Sequence, residues 1–324
     1  MTHELKTVLA TNPLHPQAVE ILEDKVRLLT SPDTTFETLR KLSKDVDGII
    51  VRAQLPDDIC DYAPKLRGIV RHGVGLDFIP VESATKSGVA VANLPGCNTQ
   101  TVAEYCFSQL FNLRRPLFKA DEVLRKNGWD KARSIASEFV EIRGSTLGIV
   151  GVGTIGTRIA SIALALGIRV LGCSRSNKVM PVGVQSVSLD DLFSCADAVI
   201  LSCALTPETR GLVDARLIRL MKRSAVLINA ARGPVLDTLA LLDALHQGRI
   251  AGAALDVFDI HPIVPNHALF RCPNLLLTPH IAAITESSSR VMGVGAANEM
   301  LRILAGEAPE NLVNPDYLEY RNNK

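Results

Sequence analysis

From residue 147 to about residue 278 the chain alternates short apolar runs with longer stretches whose apolar residues recur at helical spacing. The apolar runs fall at 147–151, 168–172, 197–202, 225–230, 251–256 and 275–278, and strand alternating with helix predicts a parallel sheet of six strands. Gly167 and Gly248 are placed to end helices, and Ser188 with Asp191 reads as a capping box before Leu192. The first hundred residues repeat the alternation on a smaller scale, with candidate strands at 7–10, 26–29, 49–52, 68–70 and 89–92, so a second, smaller α/β layer is expected. Between the halves, Val102, Cys106, Leu110 and Leu113 predict one long crossover helix over 99–126, stopped by Asn127-Gly128. After Ser287 the spacing of Val291, Val294, Met300, Leu301 and Leu304 is again helical. No strand of the large sheet remains for this helix to join, so it is expected to return to the first layer. Pro309 and Asn314-Pro315 then close the chain in extended form. The expected division is a discontinuous domain, 1–98 with 288–324, and a continuous one, 99–287.

Composition narrows the partners. With 324 residues, 47% of them hydrophobic and 21% charged, the chain can fill two cores. Its formal net charge of +1 provides no basic field for nucleic acid or an anionic membrane, so a small-molecule ligand is expected. Glu4 and Lys6 interrupt what would have to be a signal sequence, and no run is long enough to span a bilayer. The seven cysteines are odd in number, include no C-x-x-C and mostly sit in apolar runs, which points to free thiols in a reducing, cytoplasmic compartment.

The first chemistry lies at Gly151-Val-Gly153-Thr154-Ile155-Gly156, after an apolar strand and before a helix. Gly151 permits the turn, Gly153 lets backbone approach a pyrophosphate, and Gly156 lets the helix lie against the sheet, with the helix N-terminus facing the anion. Gly73-Val-Gly75 and Gly293-Val-Gly295 begin the same pattern, but Phe78 and Asn298 replace the third glycine. NAD-specific sheets carry an acid about 20 residues past the glycines. Here that position reads Ser174-Arg175-Ser176, an arginine fork and two hydroxyls suited to a 2′-phosphate, so NADP(H) is expected over NAD(H), with Lys178 as a possible helper.

Three further segments end the fourth, fifth and sixth expected strands: Asn229-Ala230-Ala-Arg232-Gly233, Ala254-Leu-Asp256-Val-Phe258 and Thr278-Pro-His280-Ile281. Ligands of open α/β sheets bind at the carboxyl ends of strands, so Arg232, Asp256 and His280 should converge on one crevice. Together with Arg71-His-Gly73-Val74-Gly75 and Asp77, this order resembles the D-isomer-specific 2-hydroxyacid dehydrogenases from about Asp45 to Pro315. The resemblance implies a Rossmann-type doubly wound sheet beside a flavodoxin-like substrate domain. Two hinged domains of this kind close on a small 2-oxo or D-2-hydroxy acid, and hydride passes to or from NADP(H), or NAD(H). It makes Arg232 the clamp on the substrate carboxylate and carbonyl, His280 the acid and base, and Asp256, with Ala230 nearby, part of the nicotinamide site. Gly73, Val74, Gly75 and Asn98, with Arg71, resemble loops covering the substrate, and Arg52 is a possible second anion contact. Arg52 and Arg71 could equally pair with Asp45, Asp47 or Asp77 at the surface.

The resemblance implies glyoxylate or hydroxypyruvate reduction first. An NAD-dependent phosphoglycerate-type oxidation, with Arg52 and Arg71 as phosphate partners, and a dinucleotide-sensing binding protein are the rivals. It also implies a homodimer, with the 99–126 helix and the Trp129 segment at the interface. One position departs from the family. Where its members place a glutamate before a proline to hold the catalytic histidine protonated, this chain has His261 before Pro262, 29 residues past Arg232. Three readings follow: Asp259 substitutes as the carboxylate, His261 relays protons or binds substrate, or turnover is weak or absent. A zinc site of His261, His267, Cys272 and His280 is a further reading, but the intervening 5, 4 and 7 residues match no common closed zinc pattern.

Overall fold

The computed structural model describes residues 5–175 and 179–321. The chain divides into two compact units, Met1–Asn98 with Ile284–Lys324, and Thr99–Ala283. The first unit opens with five strands, β1 (Lys6–Ala10), β2 (Val26–Thr30), β3 (Gly48–Val51), β4 (Gly68–Arg71) and β5 (Ala90–Ala92), interleaved with helices α1 (Pro16–Leu22), α2 (Phe36–Ser43) and α3 (Val81–Lys86). The second unit holds helices α4 (Thr99–Arg114), α5 (Leu117–Asn127), α6 (Trp129–Ser134), α7 (Thr154–Ala165), α8 (Leu189–Cys195), α9 (Ala215–Leu220) and α10 (Thr238–His246). Its strands are β6 (Thr146–Val150), β7 (Arg169–Cys173), β8 (Val184–Ser186), β9 (Ala198–Leu201), β10 (Val226–Asn229), β11 (Gly252–Leu255) and β12 (Leu275–Leu277). The chain then returns to the first unit as α11 (Glu286–Ala305) and α12 (Tyr317–Arg321).

Both sheets are parallel. The five-stranded sheet runs β2-β1-β3-β4-β5, the flavodoxin-like order, and the seven-stranded sheet runs β12-β11-β10-β9-β6-β7-β8, the doubly wound Rossmann order with one added strand. Strand order reverses between β6 and β9, which places the loops after those strands at the topological switch point. Each sheet buries an apolar cluster on both faces. In the first unit α11 covers β3 and β4 so closely that a Cβ on Gly48 would collide with Met300 and one on Gly68 with Ile303. Gly293 and Gly295, the start of a decoy glycine motif, lie inside α11 and pack against Ala18 and Leu94.

Three expectations change. The large sheet has seven strands, because Val184–Ser186 pairs with β7; three residues, two of them exposed, are too short and too polar for an apolar run. The helix expected over 99–126 is two, since Pro116 lacks an N–H and restricts Arg115 before it, dividing α4 from α5. The tail is extended where Leu312 bridges Ala92 and Asn314 bonds Val91, Thr85 and Val89, after which it forms α12.

Candidate active site

The turn from β6 into α7 is shaped by its glycines. Gly151 has φ +95°, and a Cβ there would stand 2.5 Å from the Cα of Cys203 in the loop after β9, so conformation and space both require glycine. A Cβ on Gly156 would overlap the Gly151 carbonyl oxygen. Gly153 differs: it is exposed, and no atom lies within 4 Å of where its Cβ would be. Gly153 is the N-cap of α7 and offers no side-chain cap, Thr154 is exposed, and Ile155 packs back onto the core. Open space before unfilled first-turn N–H groups fits the pyrophosphate of a dinucleotide.

At the end of β7, Ser174 is half-buried and Arg175 is exposed, its Nη1 3.1 Å from Oε2 of Glu208 in the loop after β9. Ser176 and Lys178 lie outside the described residues. Ala230, after β10, donates its N–H to Leu201 and packs on the core.

The catalytic candidates stand at the carboxyl ends of β10, β11 and β12, whose last residues Asn229, Leu255 and Leu277 are in register. Asn229 shapes the turn that presents Arg232: its side chain accepts from Ala231 N–H and donates to the Arg232 carbonyl. The half-buried Arg232 sends Nη1 to the Ala231 carbonyl at 2.8 Å. A side chain at Gly233 would overlap the Phe258 carbonyl, so the Arg232 turn lies directly on the end of β11. Beyond Phe258, the His261 ring lies 5.7 Å from the Phe258 ring and 5.3 Å from the His280 ring. Arg232, His261 and His280 are thereby joined through a short series of contacts. Nε2 of His261 accepts the Phe258 N–H at 3.3 Å.

His280 itself has φ +56°, an unusual conformation for a residue with a side chain. Asp256 holds it there. This carboxylate, 1% exposed, accepts from Thr278 Oγ1 at 2.6 Å and from the N–H groups of Ile281 and Ala282 at 2.8 Å, while the Asp256 carbonyl accepts from His280 N–H. Tyr105 of α4 supports Thr278 at 2.6 Å, and burial pushes its phenol well above the usual range. Asp256 is thus the anchor of the loop that carries His280, a task that the spacing of the motifs did not suggest. Tyr105 was missed as well, although a tyrosine on an otherwise apolar helical face was a signal. Asp259, considered as a carboxylate for His280, instead accepts a bond from Thr238 Oγ1 at 2.7 Å. His267 caps the turn at Ala268–Arg271 through Nδ1, a role apart from the zinc reading.

Within the first unit, Arg71 donates to the carbonyls of Val51 and Gly75 and lies 4.7 Å over the Phe78 ring. Asp45 and Asp47 pair instead with Lys65 and Arg67. Arg71 therefore shapes the loop Gly73–Val74–Gly75, which Asn93 also holds through the Val74 carbonyl. Arg52 donates to the Pro13 carbonyl, and burial draws its guanidinium below its ordinary value. Asn98 Oδ1 and His72 Nε2 are buried without a hydrogen-bond partner. Burial first, then the charges of Arg52 and Arg71, draw His72 down to about 4.

Residues 107–282 match the family model described as D-isomer specific 2-hydroxyacid dehydrogenase, NAD binding domain. A glyoxylate reductase of Aeropyrum pernix is 35% identical over 97% of both chains. Among solved structures, a protein of Thermus thermophilus aligns with TM-score 0.87 at 32% identity, covering 95% of this chain and 99% of that one. An NADPH-dependent glyoxylate/hydroxypyruvate reductase of Sinorhizobium meliloti, solved with NADP and malonate, aligns with TM-score 0.84 at 28% identity over 97% and 98%. The chain belongs to the D-isomer specific 2-hydroxyacid dehydrogenase family. It is an oxidoreductase that passes hydride between a nicotinamide dinucleotide and a small 2-oxo or 2-hydroxy acid.

Proposed function

We propose that the protein reduces glyoxylate, hydroxypyruvate or a similar short 2-oxo acid to the D-2-hydroxy acid and prefers NADP(H). The observation that carries this reading is the clamped His280, held in a left-handed conformation by Asp256 and linked through His261 and Phe258 to the Arg232 turn. When bound, the reduced dinucleotide supplies the hydride to C2. Arg232 holds the substrate carboxylate and carbonyl oxygen through its planar fork. His280 gives a proton to that oxygen during reduction and recovers it in oxidation. His261 positions the His280 ring in place of the family's glutamate. Asp256 accepts three of the roughly four hydrogen bonds an ionised carboxylate can take, and the last is assigned to the nicotinamide carboxamide. Gly151, Gly153, Thr154, Ile155 and Gly156 would hold the pyrophosphate, Ser174, Arg175 and Ser176 the ribose phosphate, with Ala230 beside the nicotinamide. In the first unit, the same reading gives the Gly73–Val74–Gly75 loop and Asn98 to the substrate, with Arg71 as the loop's support and Arg52 as an anion contact.

The protein is further proposed to be a cytoplasmic homodimer. All seven cysteines are free, which suits a reducing compartment. No helix among the described residues is long and apolar enough to cross a membrane.

The test follows nicotinamide absorbance while purified protein meets a panel of 2-oxo acids with NADPH and NADH. Turnover of glyoxylate or hydroxypyruvate is expected, and His280→Ala should lower kcat by about 10²–10⁴-fold with dinucleotide affinity kept. Dinucleotide binding without turnover on any 2-oxo acid would mark a sensing protein instead.

A further inference from the structure

The tip of β7 lacks the acid that normally accepts a ribose hydroxyl, yet a carboxylate stands beside it. Glu208 reaches Arg175 from the loop after β9, two strands away in the sheet, and pairs with Nη1 at 3.1 Å. The position is built. Thr206 Oγ1 donates to the same Glu208 oxygen at 2.7 Å, Thr206 N–H bonds Thr209 Oγ1 at 2.7 Å, and Thr209 Oγ1 donates to the Ala204 carbonyl at 2.7 Å. Gly211, at φ +66°, turns the chain and bonds the Pro234 carbonyl.

We propose that Glu208 is a cofactor-specificity residue: it pairs with the guanidinium that a 2′-phosphate would use, and it supplies the acceptor for a free 2′-hydroxyl that β7 does not. The inference rests on the reading of the β7 tip as the ribose site. A 2′-phosphate arriving at Arg175 competes with Glu208 for Nη1 and remains near its negative charge, whereas a 2′-hydroxyl meets neither cost. The bond from Thr206, ahead of the charge of Arg175, holds the Glu208 carboxyl below the usual carboxylate range, so it is ionised at neutral pH. Glu208 therefore opposes NADP(H) at a site whose arginine favours it, and the balance of the pair sets the preference. Both side chains are largely exposed, so the opposition is modest and screened by salt.

The experiment measures Kd for NADPH and NADH, by fluorescence titration of the full-length protein at low salt, for the native protein, Glu208→Gln and Arg175→Gln. Glutamine at 208 can still accept from Thr206, so loss of loop structure is not confounded with loss of charge. Glu208→Gln is expected to raise the ratio Kd(NADH)/Kd(NADPH) about three- to tenfold, with the gain shrinking in 1 M salt, and Arg175→Gln to lower it. A rise below threefold, or equal weakening of both cofactors as a purely structural role predicts, overturns the proposal. Native protein that binds both dinucleotides while the ratio stays fixed sinks this inference alone. Native protein that binds neither sinks the reading of the ribose site and the inference together.

Discussion

Gly151 and Gly153 are two residues apart and serve opposite needs. A methyl on Gly151 meets the Cys203 backbone and a positive φ, so Gly151→Ala should lower stability by about 1–3 kcal/mol. A methyl on Gly153 meets nothing in the protein, so Gly153→Ala should leave the denaturant midpoint almost unchanged and still weaken dinucleotide binding at least tenfold. Urea titration beside cofactor titration separates the two, and a stability loss in Gly153→Ala as large as in Gly151→Ala would refute the assignment. At this scale the sequence shows what is local. The glycine spacing is short-range chemistry, and Thr278-Pro-His280 is read in one window. The bonds from Asp256 to residues 22 to 26 positions later, and from Arg175 to Glu208, 33 positions away, are made by parallel crossovers and leave no mark in any window.

Helices and strands were legible where burial wrote a continuous apolar pattern. All five strands of the first unit and six of the second stand within a residue or two of the apolar runs, whereas the polar edge strand β8 wrote no such pattern. The apolar residues of α5 tell another story. This helix and α6 contain no buried residue, and Leu117, Phe118 and Trp129 are 61%, 55% and 67% exposed. The proposed homodimer would cover these exposed apolar side chains, and a second copy fits the symmetry of most oligomers. If that proposed dimer forms through this face, Phe118→Ser combined with Trp129→Ser should weaken it by about 2–4 kcal/mol and shift the mass in light scattering toward one chain at micromolar concentration. A double variant that remains as dimeric as the native protein would exclude this face.

Over the whole molecule, the alternation of elements disclosed two α/β layers and the return of the C-terminal helix to the first. General rules for parallel sheets limit the connections such layers can make. They do not give the protonation state of a buried group, because it depends on neighbours assembled by the fold. His72, 5% exposed at the end of β4, shows the consequence for stability. Its pKa falls from 6.5 to about 4 on folding, so below pH 6.5 the unfolded chain takes a proton that the native state refuses. The stability present above pH 6.5 should therefore fall by about 3 kcal/mol as pH drops to 4. Denaturant titrations across that range should show the loss in the native protein and a flatter profile in His72→Gln; parallel profiles would contradict it.

The clamp on His280 has a consequence for redesign. Asp256 secures it through atoms at 278, 281 and 282, and none of these bonds involves the stretch from 263 to 271, where Val264 and Phe270 are more than half exposed. A library of variants confined to that stretch should therefore leave the seat of the His280 imidazole intact.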